Sequence, residues 1–399
     1  MTLAGSIHID LFHCNGRATE ARIASARPSA AAQVLLGKTP EQVLGTIPLL
    51  FTLCGNAQAY AALLVCRTAL GMALEPRHDT ARDMLVQMET LREHVWRILL
   101  DWPAFVGLAP DKKALAALLK FDAQFKQHLF RHGEPFKLDS GLDIDEGQLT
   151  RLINEVEALI DAAIFNGRMA GFQAISTEAQ LHNWLRQSGT LPARLLGYLY
   201  SQNWVAVGQN NIACLPELDN ETLNRQIQQE DLTIFCRTPH WQRRCFETTL
   251  LNRQLPQPLI LELQGHYGNG LIARIVGRLL EVTGIPFRLR QLLAQTKDDT
   301  AIPAHCAANE GIALAQIQAA RGLLIHRLVL RQGRVYDYRI LAPTEWNFHP
   351  EGIVAQGLRR LQAPCHNDLR RQAELLINAI DPCVQYTLNL TYSGNDTET

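Results

Sequence analysis

Two stretches decide how the rest of the chain is read: Thr52-Leu53-Cys54-Gly55-Asn56-Ala57-Gln58 near the start and Asp381-Pro382-Cys383-Val384-Gln385-Tyr386 near the end. Before Asp381, the residues Leu369, Ala373, Leu376, Ile377 and Ile380 recur at helical spacing while Arg370, Arg371 and Glu374 fall elsewhere, the pattern of an amphipathic helix. Pro382 ends that helix, because proline lacks the amide donor and biases the residue before it away from the α region. Cys383 is then presented on a rigid turn just past a helix terminus. Cys54 closes the apolar run Ile47 to Leu53, and Gly55-Asn56 supplies a turn and a candidate N-cap for a helix through Ala57, Tyr60, Ala61 and Leu64. Both thiols sit at helix ends, and the chain between them is expected to fold back so that they meet. A free cysteine in an apolar context is more often a small core residue than a functional one, so the surroundings of these two carry the weight.

Composition narrows the classes. With 47% hydrophobic and 19% charged residues over 399 positions, the chain is ordinary globular material. A formal charge of -1 supplies no basic face, which argues against a nucleic-acid partner. The nine cysteines (Cys14, Cys54, Cys66, Cys214, Cys236, Cys245, Cys306, Cys365, Cys383) are odd in number, scattered and never spaced as CxxC. That pattern indicates neither a disulfide framework nor a zinc ribbon, and fits a reducing cytoplasm. Met1 to Leu11 lacks the basic start of a signal peptide and carries His8 and Asp10. The apolar run Ala59 to Cys66 falls far short of the ~20 residues of a spanning helix, so no membrane insertion is expected.

In chain order, Ile7 to Leu11 alternates like a strand, with a turn at Cys14-Asn15-Gly16. Thr39-Pro40-Glu41-Gln42 reads as a helix start with a capping box, a signature that Thr177 and Gln180 repeat. Long amphipathic helices are predicted over Asp79 to Asp101, stopped by Trp102-Pro103, over Asp111 to Arg131, and over Glu146 to Phe165 with Asn166-Gly167 closing the last. Asp219-Asn220-Glu221 opens a further helix. Gly265-His266-Tyr267-Gly268-Asn269-Gly270 matches neither the dinucleotide nor the P-loop spacing and reads as a plain loop before a helix over Leu271 to Val282. His240, His266 and His305 stand near Cys236, Cys245 and Cys306 without regular ligand spacing, so surface or core roles are favoured over a zinc site. Leu323 to Leu330 and Val335 to Leu341 form a hairpin across Arg331-Gln332-Gly333-Arg334.

Taken in order, Gly37-Lys38-Thr39-Pro40-Glu41, Leu53-Cys54-Gly55-Asn56-Ala57, a helix bearing Glu93-His94 and ending Leu100-Asp101-Trp102, Ala320-Arg321-Gly322-Leu323-Leu324, Pro343-Thr344-Glu345-Trp346-Asn347 and Asp381-Pro382-Cys383 resemble the large subunit of nickel-iron hydrogenases over nearly the whole chain. The resemblance implies an α+β, mainly α fold: a large-subunit-like helical bundle with small peripheral β/α elements. It divides the chain into residues 1–50, an N-terminal strand, loop and lead-in helix; 51–320, a helical core; 321–390, the hairpin, a loop and the C-terminal helix with its Asp-Pro-Cys motif; and 391–399, a disordered tail, all within one large-subunit-like domain.

That family holds its nickel-iron centre on two CxxC pairs, each giving one terminal nickel ligand and one bridging thiolate. This sequence departs there: Ala57 and Tyr386 stand where the second cysteine of each pair belongs, Ala61 and Asn389 stand where histidines are expected, and the Ala4-Gly5-Ser6 stretch replaces the acidic residue of the proton path. A cluster bridged by two thiolates cannot be built here, and hydrogenase activity is not expected. The loss is patterned, since Cys54, Arg321, Asp381, Pro382 and Cys383 are all kept. This half-pattern resembles the HupK/HoxV group of hydrogenase accessory proteins, associated with assembling the Fe(CN)2(CO) fragment.

The expectation is a non-enzymatic, cytoplasmic scaffold or carrier in which Cys54 and Cys383 hold the Fe(CN)2(CO) fragment while Arg321, oriented by Asp381, donates to cyanide nitrogen. No catalytic residue is assigned. The implied partners are hydrogenase maturation proteins and the hydrogenase large-subunit precursor. Two alternatives stay open: nickel handling, because the retained cysteines match the family's terminal nickel ligands, and a metal-free mimic or chaperone that binds hydrogenase subunits or maturation proteins. A redox-complex subunit is disfavoured, because the respiratory relatives of this fold have lost the metal cysteines altogether.

Overall fold

The structure, a computed structural model, describes residues 5–26, 29–51, 53–229, 231–297, 306–309 and 311–393. Thr52, Ala4 and His305 of the stretches above lie outside the described residues. Two long helices, Pro76–Trp96 and Leu271–Gln295, form the axis and pack on each other. Met84, Leu85, Met88, Leu91 and Val95 from the first meet Ile272, Ile275, Val276, Leu279 and Val282 from the second in the largest apolar core. Each such buried side chain contributes roughly 1.5–3 kcal/mol relative to exposure. Lys112–Leu129 and Glu146–Ile160 flank the axis, and His366–Ile380 packs on Leu271–Gln295. The described residues are mainly helical with two small sheets, the class that the patterning predicts.

Local chemistry explains the helix starts. Thr39 with Gln42 and Thr177 with Gln180 form the expected capping boxes. Asp111 caps Lys112–Leu129 through its side chain, and Asp219 accepts from Thr222 N at the start of Asn220–Gln229. Asn166 in the left-handed region closes the π-turn Asp161–Phe165 that extends the Glu146–Ile160 helix.

Two expected breaks are absent. Trp102-Pro103 does not stop the first axial helix, which passes through a π-turn at Arg97–Asp101 and runs to Phe105. Pro103 cannot donate to the Leu99 carbonyl, which instead accepts the N–H of Asp111 at 3.0 Å. Gly265, His266 and Tyr267 are not loop but the last turn of a helix, Pro258–Tyr267, and the loop is confined to Gly268–Gly270 before the second axial helix. That helix runs to Gln295, well past Val282, because its buried face continues through Ile285, Leu289 and Leu293.

The termini share one sheet. Strand β1 (Ser6–Cys14) pairs antiparallel with β2 (Arg17–Ser25) across the Asn15-Gly16 turn. A four-stranded antiparallel sheet follows, in the order β3 (Cys306–Asn309), β4 (Ile312–Ala319), β5 (Gly322–Arg331) and β6 (Arg334–Leu341). The β5–β6 turn has Gln332 and Gly333 at positive φ, as a two-residue hairpin requires. The expected boundary at residue 320 therefore falls inside one sheet, between β4 and β5. The last strand, β7 (Gln385–Tyr392), lies parallel to β1 with Ile7 opposite Tyr386. Thr391 and Tyr392, expected in a disordered tail, belong to this strand because its ladder with β1 extends to His13 and Tyr392; residues 394–399 lie outside the described residues.

Strand β5 is buried on both faces, which is why it reads as a continuous apolar run. Its alternation sorts the side chains: Leu324 and Leu328 pack with Tyr60, Ala61 and Leu64 of the Gly55–Ala69 helix, whereas Leu323 and Ile325 face Phe235, Trp241 and Trp346. His326 falls on the side of the Gly55–Ala69 helix, below its first turn.

Candidate functional site

Cys54 occupies the N-cap position of the Gly55–Ala69 helix, and its carbonyl accepts the Gln58 N–H at 3.0 Å. Asn56, expected as the cap, sits inside the first turn, where its amide donates to Asp122 Oδ1 (2.8 Å) and the Leu85 carbonyl (3.3 Å). The open N–H groups of Asn56 and Ala57 donate to the Glu89 carboxylate at 2.7 and 3.2 Å. Capping thus comes from the neighbouring axial helix, and negative charge there is favoured by the positive end of the helix dipole. Arg92, one turn along the same helix, donates to the Leu53 carbonyl at 2.7 Å. Burial pushes the Glu89 carboxyl up to about 7, against the pull of Arg92 and the two backbone N–H groups.

Cys383 is held differently. Asp381 closes the C-terminal helix in the left-handed region with φ 69°, and Pro382 excludes a helical continuation. The Cys383 N–H donates to Thr344 Oγ1 (3.3 Å), and that hydroxyl donates its one proton to Cys383 Sγ (3.0 Å). Thr344 opens the short helix Pro343–Asn347 that follows β6.

Asp381 is the hub beneath the Cys383 turn. Its Oδ1 accepts from Arg321 Nε (3.1 Å) and Arg97 Nε (2.7 Å), and its Oδ2 from Arg278 Nη1 (3.2 Å). Burial alone would raise its pKa, but Arg321, Arg97 and Arg278 hold it well below the usual carboxylate range. Arg321 also donates from Nη2 to Glu93 Oε2 (2.9 Å). Burial disfavours its charge, yet Asp381, Glu93 and the Cys383 and Cys54 sulfurs outweigh burial and keep the guanidinium protonated. A second tier continues from Arg278 to His94 Nδ1 (3.3 Å), from His94 Nε2 to Glu281 (3.0 Å), and from Arg253, on Glu281, to the Ala319 and Ala320 carbonyls (3.1 and 3.0 Å). The turn carrying Arg321 needs glycine next to it: Gly322 has φ +127°, and a Cβ there would lie 1.5 Å from the Thr248 carbonyl oxygen.

These elements line one pocket that is partly open to solvent. Cys54, Cys383, Arg321 and Gln58 give it polar or sulfur-bearing walls, and Ala319, Ala320, Leu324, Ala342 and Pro343 complete it. Both cysteines are unbridged. The structure therefore brings Cys54, Cys383 and Arg321 to one chamber and puts Asp381 directly behind Arg321. Ala57 and Tyr386, the places of the missing cysteines, do not line it: Ala57 is buried in its helix and Tyr386 belongs to β7. Asn389 donates to Asp10 Oδ1 at 2.9 Å on the terminal sheet. Chemically, two thiols, a fixed cation, one amide side chain and an otherwise apolar wall make a chamber that can hold a soft metal centre carrying acceptor ligands.

Sequence reasoning did not single out Gln58, Glu89, Arg97 or Arg278, and gave Thr344 no role of its own. A signal existed for part of this set, since Glu93, Arg97 and Asp101 follow one another at i,i+4 spacing, and Arg97 Nη1 donates to Asp101 Oδ2 at 2.7 Å. Elsewhere, Cys245 Sγ lies 3.3 Å from His349 Nδ1. His266 Nδ1 lies 2.7 Å from Glu178 Oε2, and Glu178, Glu262 and His266 are the one grouping of three such ligand atoms among the described residues. No cysteine takes part in that grouping.

No protein-family model matches the chain. It is 32% identical over 390 residues to the hydrogenase expression/formation protein HoxV of Cupriavidus necator, covering 94% of each chain. It is 27% identical over 395 residues to the hydrogenase expression/formation protein HupV of Azotobacter chroococcum, covering 98% of this chain and 100% of that one. Among solved structures, the Ni-Fe-Se hydrogenase of D. vulgaris Hildenborough superposes with a TM-score of 0.66 at 15% identity, over 92% of this chain and 94% of that one, which establishes a shared fold. No helix among the described residues is long and apolar enough to cross a membrane.

Proposed function

The chain belongs to the hydrogenase expression/formation proteins of the HoxV/HupK kind, and from that premise we propose that it is a carrier for the Fe(CN)2(CO) fragment, held transiently on Cys54 and Cys383 during assembly of a nickel-iron active site. The observation that carries this reading is the single chamber in which two thiols from opposite ends of the chain meet the Arg321 guanidinium. Low-spin iron with cyanide and carbonyl ligands is a soft centre that thiolates bind well, and two thiolates with open positions permit release. Cyanide bound to iron keeps a basic nitrogen, and Arg321 Nη1 makes no hydrogen bond to the described residues, while Nε and Nη2 are fixed by Asp381 and Glu93. Nickel(II) in a thiolate site generally takes four ligands, and the chamber offers two cysteines. On this reading the donor is the machinery that builds the iron fragment, and the acceptor is the hydrogenase large-subunit precursor.

The test is anaerobic purification from cells with active hydrogenase maturation, with metal analysis and infrared spectroscopy on one sample. Cyanide and carbonyl bands with iron and without nickel are expected, and Cys54→Ala or Cys383→Ala should abolish both bands and iron. Full iron loading in both variants, or stoichiometric nickel without the bands, overturns the proposal.

A further inference from the structure

The chamber has a second polar pole, opposite in origin to Arg321. Gln58, one turn into the Gly55–Ala69 helix, lines it and is otherwise buried. Behind Gln58 runs a closed relay: Tyr338 OH lies 2.7 Å from His326 Nδ1, and His326 Nε2 lies 2.8 Å from Gln58 Oε1. Proton bookkeeping fixes the direction of this relay. The buried Tyr338 hydroxyl has His326 Nδ1 as its one hydrogen-bond partner among the described residues, so its proton goes to that nitrogen rather than being left unmade at a cost of about 1–3 kcal/mol. The imidazole is then the Nε2–H tautomer, and Nε2–H donates to Gln58 Oε1. With its oxygen turned to His326, Gln58 directs its amide –NH2 away from the relay, and Nε2 has no partner among the described residues. Burial pushes His326 down to about 3, so the imidazole stays neutral at neutral pH and the direction does not reverse.

Resting on the carrier reading above, we propose that Gln58 is the second hydrogen-bond donor to the cargo: its Nε2 donates to one cyanide nitrogen and Arg321 Nη1 to the other. The carbonyl, a poor acceptor, is left to the apolar wall of Leu324, Ala342 and Pro343. Two donors and an apolar face match a fragment with two good acceptors and one poor one. The chamber thereby selects Fe(CN)2(CO) over an iron centre with two carbonyls and one cyanide, which would leave one buried donor unpaired.

The experiment is infrared spectroscopy of the anaerobically purified full chain and its Gln58→Leu variant, in H2O and D2O. In the wild type the cyanide bands shift on deuteration. In Gln58→Leu the mean cyanide frequency falls, the splitting of the pair changes, part of the deuterium shift is lost, and the carbonyl band moves less than either. Cyanide bands present and unmoved by Gln58→Leu overturn the Gln58 contact alone; bands missing from the wild type overturn the carrier reading and this contact with it. Should Gln58→Leu fail to fold or load iron, Tyr338→Phe decides. It removes the proton that orients His326, and a smaller shift in the same sense supports the contact, whereas an unchanged spectrum in this variant overturns it.

Discussion

The two thiol turns do the same geometric job by different physics. The Cys54 turn is clamped by one helix, through Glu89 on two amide groups and Arg92 on a carbonyl. Glu89 has a carboxyl pushed up to about 7, so the clamp changes its charge near neutrality. The Cys383 turn stands on Asp381, whose three arginines keep it ionised far into the acid range. One thiol turn thus rests on a carboxylate that its arginines keep ionised, and the other on a carboxyl that burial pushes toward protonation.

The sharpest way to break this comparison is Asp381→Asn. Asparagine tolerates the left-handed region much as aspartate does, so the backbone at φ 69° is spared and only the charge is lost. Arg97, Arg278 and Arg321 would then be left with an uncompensated buried charge, at a cost of roughly 3–5 kcal/mol. A markedly lower Tm with loss of bound iron is expected. A variant as stable as the wild type in urea titration would show that the hub is not what supports Cys383.

The second effect concerns pH, and the two turns should respond with opposite sign. The Glu89 carboxyl titrates at about 7 in the folded protein and near its ordinary 4.5 when unfolded. Between those values the folded state holds the extra proton, so stability falls as pH rises through the window and levels off above it. That difference corresponds to roughly 3 kcal/mol, and Glu89→Gln should flatten this segment of the stability–pH curve. Asp381 works the other way: its folded pKa lies below its ordinary 3.8, so its contribution is present above that value and is lost as pH falls below it. Urea midpoints measured from pH 4 to 8 on the wild type and Glu89→Gln check the sign for Glu89, and wild-type midpoints carried down to pH 2 check that for Asp381. An identical slope in the two proteins would remove Glu89 from the account.

Much of this arrangement was legible in the sequence, and what was not has identifiable causes. Capping boxes, the Gln332-Gly333 hairpin and the helix before Asp381 rest on local chemistry, which a sequence carries openly. Cys54, Cys383, Arg321 and Asp381 stand out in the sequence because they fall in a run of motifs in order. The partners that hold them were hidden by distance along the chain: nothing near Glu93 announces Arg321, and nothing near Thr344 announces Cys383. Pro103 misled because its missing donor is made good by the Asp111 N–H, which donates to the carbonyl that the proline leaves free. Strand β7 does carry a local signal, since Tyr386, Leu388 and Leu390 alternate with exposed Gln385, Thr387 and Asn389. Its parallel pairing with β1, at the other end of the chain, has no local signature.

Thr344→Val sharpens the comparison with the smallest expected effect. Valine matches threonine in shape, so packing around Pro343 and Trp346 should persist, while the hydroxyl that joins Cys383 Sγ to its own N–H is lost. The Cys383 N–H then loses its Thr344 acceptor within a buried turn, at a cost of about 1–2 kcal/mol. Because the hydroxyl does not titrate in the accessible range, the loss should be the same at pH 5 and pH 8, unlike that of Glu89→Gln. If the carrier proposal holds, a fragment on the two thiolates would lose a hydrogen bond to one and not the other, and its iron should dissociate faster while the chain still loads. A stability loss that varies with pH would mean that Thr344 acts through the ionic hub, and the two turns would then be one coupled device rather than two independent ones.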